Sequence, residues 1–349
     1  LRTRLRRAVL YPLSYGGGSE SLSLSIQPIF GGTLGLALPD RWIWDSWYAW
    51  EGDVCHAFYL CASRALGDPN RRHGYTSVGH AISKDLKTWD ILPDALAPSD
   101  SPAFDSWTTW TGSIVQASSD KWMMFYTGTS RQDGGRVQRV LAATSKDLMN
   151  WTKLDGFSIE ADSRFYEKLA DETWPDEAWR DPWVYHSEID QLWHMLVTAR
   201  AKTPAGNFGG VVGHLTSSDL LKWKVLQPLA GPSSDFAHLE VLQYEVVDGV
   251  PLLIFSCDAD KLSASRKSVV ESVDATYSLV CFDGLENVDL SLARPFMSNP
   301  VYASRLVRDS SGGWNLLGFR NYENGRFVGE ICDPFPVTAD RKLGLIPRV

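Results

Sequence analysis

The pattern Ser-x-Asp-Leu-x-x-Trp occurs three times in this chain, as SKDLKTW (83–89), SKDLMNW (145–151) and SSDLLKW (217–223), at intervals of 62 and 72 residues. Each copy follows an apolar, β-prone run (TSVGHAI, RVLAAT, GVVGHLT) and leads into a second short run such as KVLQPLAGP. An Asp whose carboxylate bonds its own backbone makes a turn, so each copy predicts a strand, a turn and a strand bearing Trp. Asp85, Asp147 and Asp219 are expected as turn formers, and Trp89, Trp151 and Trp223 as packing residues. Repeats this far apart, each with room for about four strands, predict the blades of a β-propeller.

Five apolar strand-like runs fill the intervals: VCHAFYLC, KWMMFYTG, LWHMLVTAR, PLLIFSC and WNLLGFR. Five blade-centre strands predict an all-β, five-bladed propeller as a single domain over 36–349. Residues 1–35, which include the tract YGGGSESLSLS, are set apart as a lead segment that could pack on the propeller. Long amphipathic helical periodicity is missing, which removes an α/β barrel.

The 349 residues carry a net charge of −8, and only LRTRLRR at the start is strongly basic. A nucleic-acid partner is therefore not expected. There is no run of about 18 apolar residues, so no membrane-spanning helix is expected. Five cysteines, odd in number and without CxxC, point away from a disulfide framework or a zinc site. Cys55 and Cys61 lie about 20 Å apart if their strand is extended. Free thiols and the lack of a signal-like apolar start lead to an expected cytoplasmic location. The seven histidines show no HExxH spacing, so neither a metal nor another cofactor is expected.

Chemistry concentrates at three acids. WIWDSW (42–47) surrounds Asp45 with Trp42, Trp44 and Trp47; WRDPWV (179–184) presents Arg180 and Asp181; FAHLEVLQ (236–243) presents Glu240. In a propeller the innermost strands converge on the axis, so acids far apart in sequence can meet. An Asp read alone is more simply a turn cap. An acid in an apolar strand, as at Glu240, is costly unless paired or used.

Taken in order, WIWDSW, GHAISKDLKTW (79–89), WTGS (110–113), RDP (180–182), the Glu of HLEV (238–241) and YAS (302–304) resemble the five-bladed furanosidase clan that holds glycoside hydrolase families 32, 68 and 43. The nearest resemblance is to family 32, the invertases and fructanases. Family 32 usually carries a β-sandwich after its propeller; here, as a departure from that pattern, a single catalytic propeller without the sandwich is expected. Residue by residue, the resemblance implies that Asp45 is the nucleophile, Glu240 the general acid/base and Asp181 a transition-state stabiliser. Trp44, Trp47 and Trp110 would give apolar faces to a sugar, Thr111 and Ser113 pocket-wall hydroxyls, and Arg180 and Tyr302 further substrate contacts.

Those roles agree with the chemistry. An oxocarbenium-like state needs one carboxylate to attack and one protonated carboxyl to donate to the leaving oxygen. Glu240, between Leu239 and Val241, is expected to sit in the more apolar setting and carry the proton, and Asp181 beside Arg180 to stay ionised. Glu172 or Glu177 could reach the rim, and Arg64 or His73 a leaving group. The chain departs from family 32 in having Trp44 before Asp45, Ser46-Trp47 after it, and Val241 after Glu240.

The expected activity is retaining β-fructofuranosidase action on sucrose or fructo-oligosaccharides, with a small sugar as substrate and no nucleic-acid or membrane partner. A fructosyltransferase, an arabinofuranosidase-like enzyme and a non-catalytic sugar-binding propeller are the alternatives.

Overall fold

The computed structural model describes residues 35–202, 208–270, 273–298 and 300–348. The proposed lead segment lies outside the described residues except for Gly35. Five antiparallel sheets follow one another along the chain. Blade 1 is β1 (Arg41–Glu51), β2 (Val54–Ser63), β3 (Ser77–Ser83) and β4 (Asp90–Leu96). Blade 2 is β5 (Thr108–Ser118), β6 (Lys121–Thr129), β7 (Gln138–Ser145) and β8 (Thr152–Lys153). Blade 3 is β9 (Trp179–His186), β10 (Trp193–Arg200), β11 (Gly210–Ser217) and β12 (Lys224–Ala230). Blade 4 is β13 (Glu240–Val247), β14 (Val250–Cys257), β15 (Ala275–Val280) and β16 (Arg294–Ser298). Blade 5 has β17 (Val301–Arg308), β18 (Trp314–Glu323), β20 (Phe335–Asp340) and β21 (Gly344–Pro347), with β19 (Arg326–Ile331) also paired to β18.

The first strands β1, β5, β9, β13 and β17 touch in a closed ring around the axis. The five strand-like runs read from the sequence are the second strands of the five blades. Among the described residues the only α-helix is the single turn Ala264–Lys267, so the all-β, five-bladed reading holds.

Apolar side chains pack between blades: Met123, Phe125 and Val140 of blade 2 meet Met195 and Val197 of blade 3, and Leu196 and Val212 of blade 3 meet Phe236 and Phe255 of blade 4. A blade is apolar on both faces, so none could bury its surface alone. The ring is tied shut by Leu36, which bridges to Ile331, and by Arg64, which donates to the carbonyls of Leu38, Arg41 and Val328. Arg64 is thus committed to ring closure and does not reach a leaving group as the sequence had suggested. All five cysteines are buried and unpaired.

The repeated heptapeptides are the turns between third and fourth strands of blades 1, 2 and 3. The hydroxyls of Ser83, Ser145 and Ser217 accept from the next-but-one N–H, that of the motif Asp, at 3.1 to 3.2 Å. The carboxylates of Asp85, Asp147 and Asp219 each accept from two backbone N–H groups ahead of them, at 2.7 to 2.9 Å. Between them Leu86, Leu148 and Leu220 sit at φ 62, 57 and 64, a region that a side chain occupies only when its surroundings demand it. All three leucines are buried. Trp151 and Trp223 stand edge-on to Phe58 and Phe125 of the preceding blade at 5.7 and 5.5 Å, and Trp89 tilts against Tyr48.

Candidate active site

Every inner strand loses register with its neighbour at one corresponding point. The breaks fall between Trp44 and Ser46, between Trp110 and Gly112, after Arg180, between Glu240 and Gln243, and between Tyr302 and Arg305. A bulge inserts an extra residue, bends the strand and re-aims side chains. The five residues just before the breaks are Trp44, Trp110, Arg180, Glu240 and Tyr302, and all five line one pocket of about 290 Å³. At the breaks themselves, Asp45, Thr111, Asp181 and Val241 also line it. Asp181, Val241 and Ala303 are held at φ 57, 54 and 47; such backbone costs about 1–3 kcal/mol each and persists only where the fold over-determines it. The three acids do not therefore occupy one equivalent position: Asp45 and Asp181 are bulge residues, and Glu240 precedes its bulge.

Glu240 is gripped from two sides. Arg180 Nη2 donates to Oε1 at 2.6 Å and the Tyr302 hydroxyl to Oε2 at 2.8 Å. Its side chain is 21% exposed, open to the pocket. The apolar setting expected from Leu239 and Val241 is not what its carboxylate meets: Leu239 packs into the core between blades 3 and 4, and Val241 lines the pocket while Arg180 and Tyr302 hold the carboxylate. Arg180 is itself held by Gln138 Oε1 at 3.1 Å and lies 3.1 Å from His238 Nδ1. Burial opposes its charge, but Glu240 and Asp181 outweigh that and raise its pKa.

Asp181 lies 3.6 Å from Arg180 Nε, farther than Glu240 does from the same guanidinium. Its Oδ2 accepts from the Thr198 hydroxyl at 2.9 Å and from the Val241 N–H at 3.3 Å. Burial pushes its pKa up, against the lowering by Arg180. Asp45 accepts a short hydrogen bond from the Thr111 hydroxyl. Burial and then the nearby Asp181 raise its pKa to about 7. Two acids sharing a low-dielectric pit resist being charged together.

The other expected residues divide. Trp44, Trp110, Thr111, Arg180 and Tyr302 line the pocket, and so does His73, which stands edge-on to Trp44 and Trp110. Trp47 does not: it shares a face of the sheet with Trp44 but lies farther along β1, 1% exposed and stacked on Phe58 in the core. Ser113 is also buried away from the pocket, accepting from the Val184 N–H at 3.1 Å and so joining blades 2 and 3. Glu172 and Glu177 line a separate shallow cleft with Arg136, Lys168 and Trp174, Glu177 being ion-paired to Lys168; Asp176 is the member of that acidic loop that reaches the pocket.

Sequence reading missed Arg72, Asp258 and Asn321, which also line the pocket. Arg72 lies in the long β2–β3 connection that also carries His73, its guanidinium 4.0 Å from the Phe327 ring centre and 5.4 Å from that of Trp44. Asp258 directly follows β14, and burial and then Glu240 raise its pKa to about 8. An acid ending a blade-centre strand was the available signal. Among the described residues no group of three His, Cys, Asp or Glu side chains is arranged to hold a metal ion.

Residues 49–292 match the model of the glycosyl hydrolases family 32 N-terminal domain. A bifunctional 6(G)-fructosyltransferase/2,1-fructan:2,1-fructan 1-fructosyltransferase of Allium cepa is 25% identical over 264 residues, covering 68% of this chain and 40% of that protein. A sucrose-6-phosphate hydrolase of Bacillus subtilis is 30% identical over 195 residues, covering 54% of this chain and 35% of its own length. The chain thus spans less than half the length of these curated relatives. Among solved structures, an inulosucrase from Halalkalicoccus jeotgali bound to kestose superposes with a TM-score of 0.73 at 19% identity, covering 90% of this chain and 89% of that one. That likeness shows the fold, and the family rests on the matched sequence: the chain belongs to glycoside hydrolase family 32 through its N-terminal domain.

Proposed function

We propose that this chain is a retaining β-fructofuranosidase that releases terminal fructosyl units from sucrose or short fructo-oligosaccharides. The observation that carries this reading is the convergence of Asp45, Asp181 and Glu240 in one pocket, with Glu240 fixed by Arg180 and Tyr302. Asp45 attacks the anomeric carbon and Glu240 gives its proton to the leaving oxygen; the C–O bond to the leaving sugar breaks as the fructosyl–Asp45 ester forms. Glu240, now a carboxylate, takes a proton from water, which opens the ester and frees fructose and Asp45. Asp181 accepts hydrogen bonds from sugar hydroxyls that strengthen as positive charge grows on the ring. Trp44 and Trp110 rest against the C–H face of the sugar. The buried unpaired thiols suit work in a reducing, cytoplasmic setting.

The test is product analysis with sucrose, raffinose, inulin and an aryl arabinofuranoside. Free fructose is expected, and Asp45→Ala and Glu240→Ala should abolish it. Kestose-like products would replace hydrolysis by transfer to a sugar hydroxyl; arabinose release alone would overturn the fructoside reading; no turnover would favour a binding propeller. Because Asp45 must be ionised to attack, kcat/KM should fall as pH drops through about 7.

A further inference from the structure

Arg305 stands on β17 just past the bulge that follows Tyr302 and is 1% exposed. Its Nη1 donates to the carbonyls of Val241 and Leu242, at 3.2 and 2.5 Å. Those carbonyls belong to the blade 4 bulge, whose preceding residue is Glu240 and whose Val241 N–H donates to Asp181. One side chain from blade 5 therefore pins the segment that presents one acid and hydrogen-bonds another. The remaining donors, Nε and Nη2, are buried without a hydrogen-bond partner among the described residues, and the Trp183 ring centre lies 5.0 Å from the guanidinium carbon. A side chain present only to fill space would not need a charge there, and a buried cation with no contacting carboxylate is costly.

We infer that Arg305 is a positioning residue of this site, which clamps the Glu240 bulge and sets a fixed positive charge that favours the ionised forms of Asp45 and Asp181. The inference rests on the fructosidase reading only for the roles of those acids. The acids that act on Arg305 are Asp181 and Asp45, with the Tyr48 hydroxyl beside them. Asp45 faces Asp181, Glu240, Arg305 and Arg72, and Asp181 also faces Arg180 and Glu240. Burial pushes the Arg305 guanidinium down to about 10, with the two aspartates opposing the shift, so it remains charged at neutral pH. Arg180 pairs with Glu240 at 2.6 Å and lies 3.6 Å from Asp181, so Arg305 is a second cation for Asp181 beside Arg180.

The experiment separates the clamp from the charge. Arg305→Gln retains an amide donor for the carbonyls and removes the charge; Arg305→Lys retains the charge and loses the two-pronged reach. Aspartate carboxyl carbons are labelled with ¹³C in the full chain, the Asp45 and Asp181 signals are assigned with Asp45→Asn and Asp181→Asn, and both are titrated. In Arg305→Gln both carboxyls should titrate higher, Asp45 by about one unit and Asp181 by less because Arg180 also faces it, with the acid limb of kcat/KM on sucrose moving with Asp45; Arg305→Lys should stay near the parent. Unchanged titration in folded Arg305→Gln, or Arg305→Lys titrating like it, would overturn the inference. The fructosidase reading fails by a different sign, absence of turnover on every fructoside by the parent chain, and the carboxyl titrations decide the role of Arg305 in either case.

Discussion

Non-glycine residues sit at left-handed φ in two repeated sets, one at the outer turns and one at the inner bulges, and different partners hold them. At the outer edge Leu86, Leu148 and Leu220 are fixed by serine and aspartate side chains within three residues of them. At the inner edge the partners are distant: Asp181 is bonded to Thr198 and to the blade 4 backbone, and Val241 is bonded by Arg305 of blade 5. Strain held by sequence neighbours makes a blade. Strain held by other blades makes a pocket, because only several blades together define a point on the axis.

That contrast can be broken by substitutions that separate activity from stability. The largest effect is expected at the inner edge, where Glu240→Gln should lower kcat on sucrose by about 10²–10⁴-fold while the melting temperature stays near the parent's. An equal loss of stability would mean that the inner acid also holds the fold. At the outer edge Leu148→Ala should cost about 2–5 kcal/mol of stability through a buried cavity, measured by urea unfolding, with kcat/KM unchanged in the folded fraction. A selective loss of activity would show that the outer turns reach the pocket after all.

Two buried histidines sharpen the comparison by pH, since His80 and His214 occupy the same place before two of the outer turns. Burial, and then a histidine neighbour, depresses them to about 3 and about 4. Below the ordinary histidine value near 6.5 the unfolded chain binds protons that the folded chain refuses, so stability falls with falling pH. The slope should be at most about 1.4 kcal/mol per pH unit for each histidine, and His80→Gln, if it folds, should flatten the melting temperature between pH 6.5 and 4. The smallest effect is expected for Ser145→Ala, which removes a turn acceptor and should cost about 1 kcal/mol by analogy with a lost helix cap, with no change in KM.

The outer turns could be read directly because their stabilising groups lie within seven consecutive residues. The second strands could be read because they are continuous apolar runs buried on both sides. The three acids were visible through their order along the chain. What misled was inferring a side chain's surroundings from its sequence neighbours. Trp47 flanks a pocket residue but faces the core, Ser113 follows a pocket threonine but bonds β9, and Glu240 sits between apolar residues yet meets Arg180 and Tyr302. In each case the residue's place along its strand relative to the bulge, and the partners that other strands bring to it, decide what it meets.

The sequence by itself determined the number of blades, the turns of the first three and which acids could meet, because each depends on contacts within a few residues or on a repeated pattern. The tertiary structure alone decided which residues face the pocket and which charges they meet there. Bulge geometry and the hydrogen bonds of Arg180, Thr198 and Arg305 join strands up to about sixty residues apart, and only the closed ring brings those strands to one point.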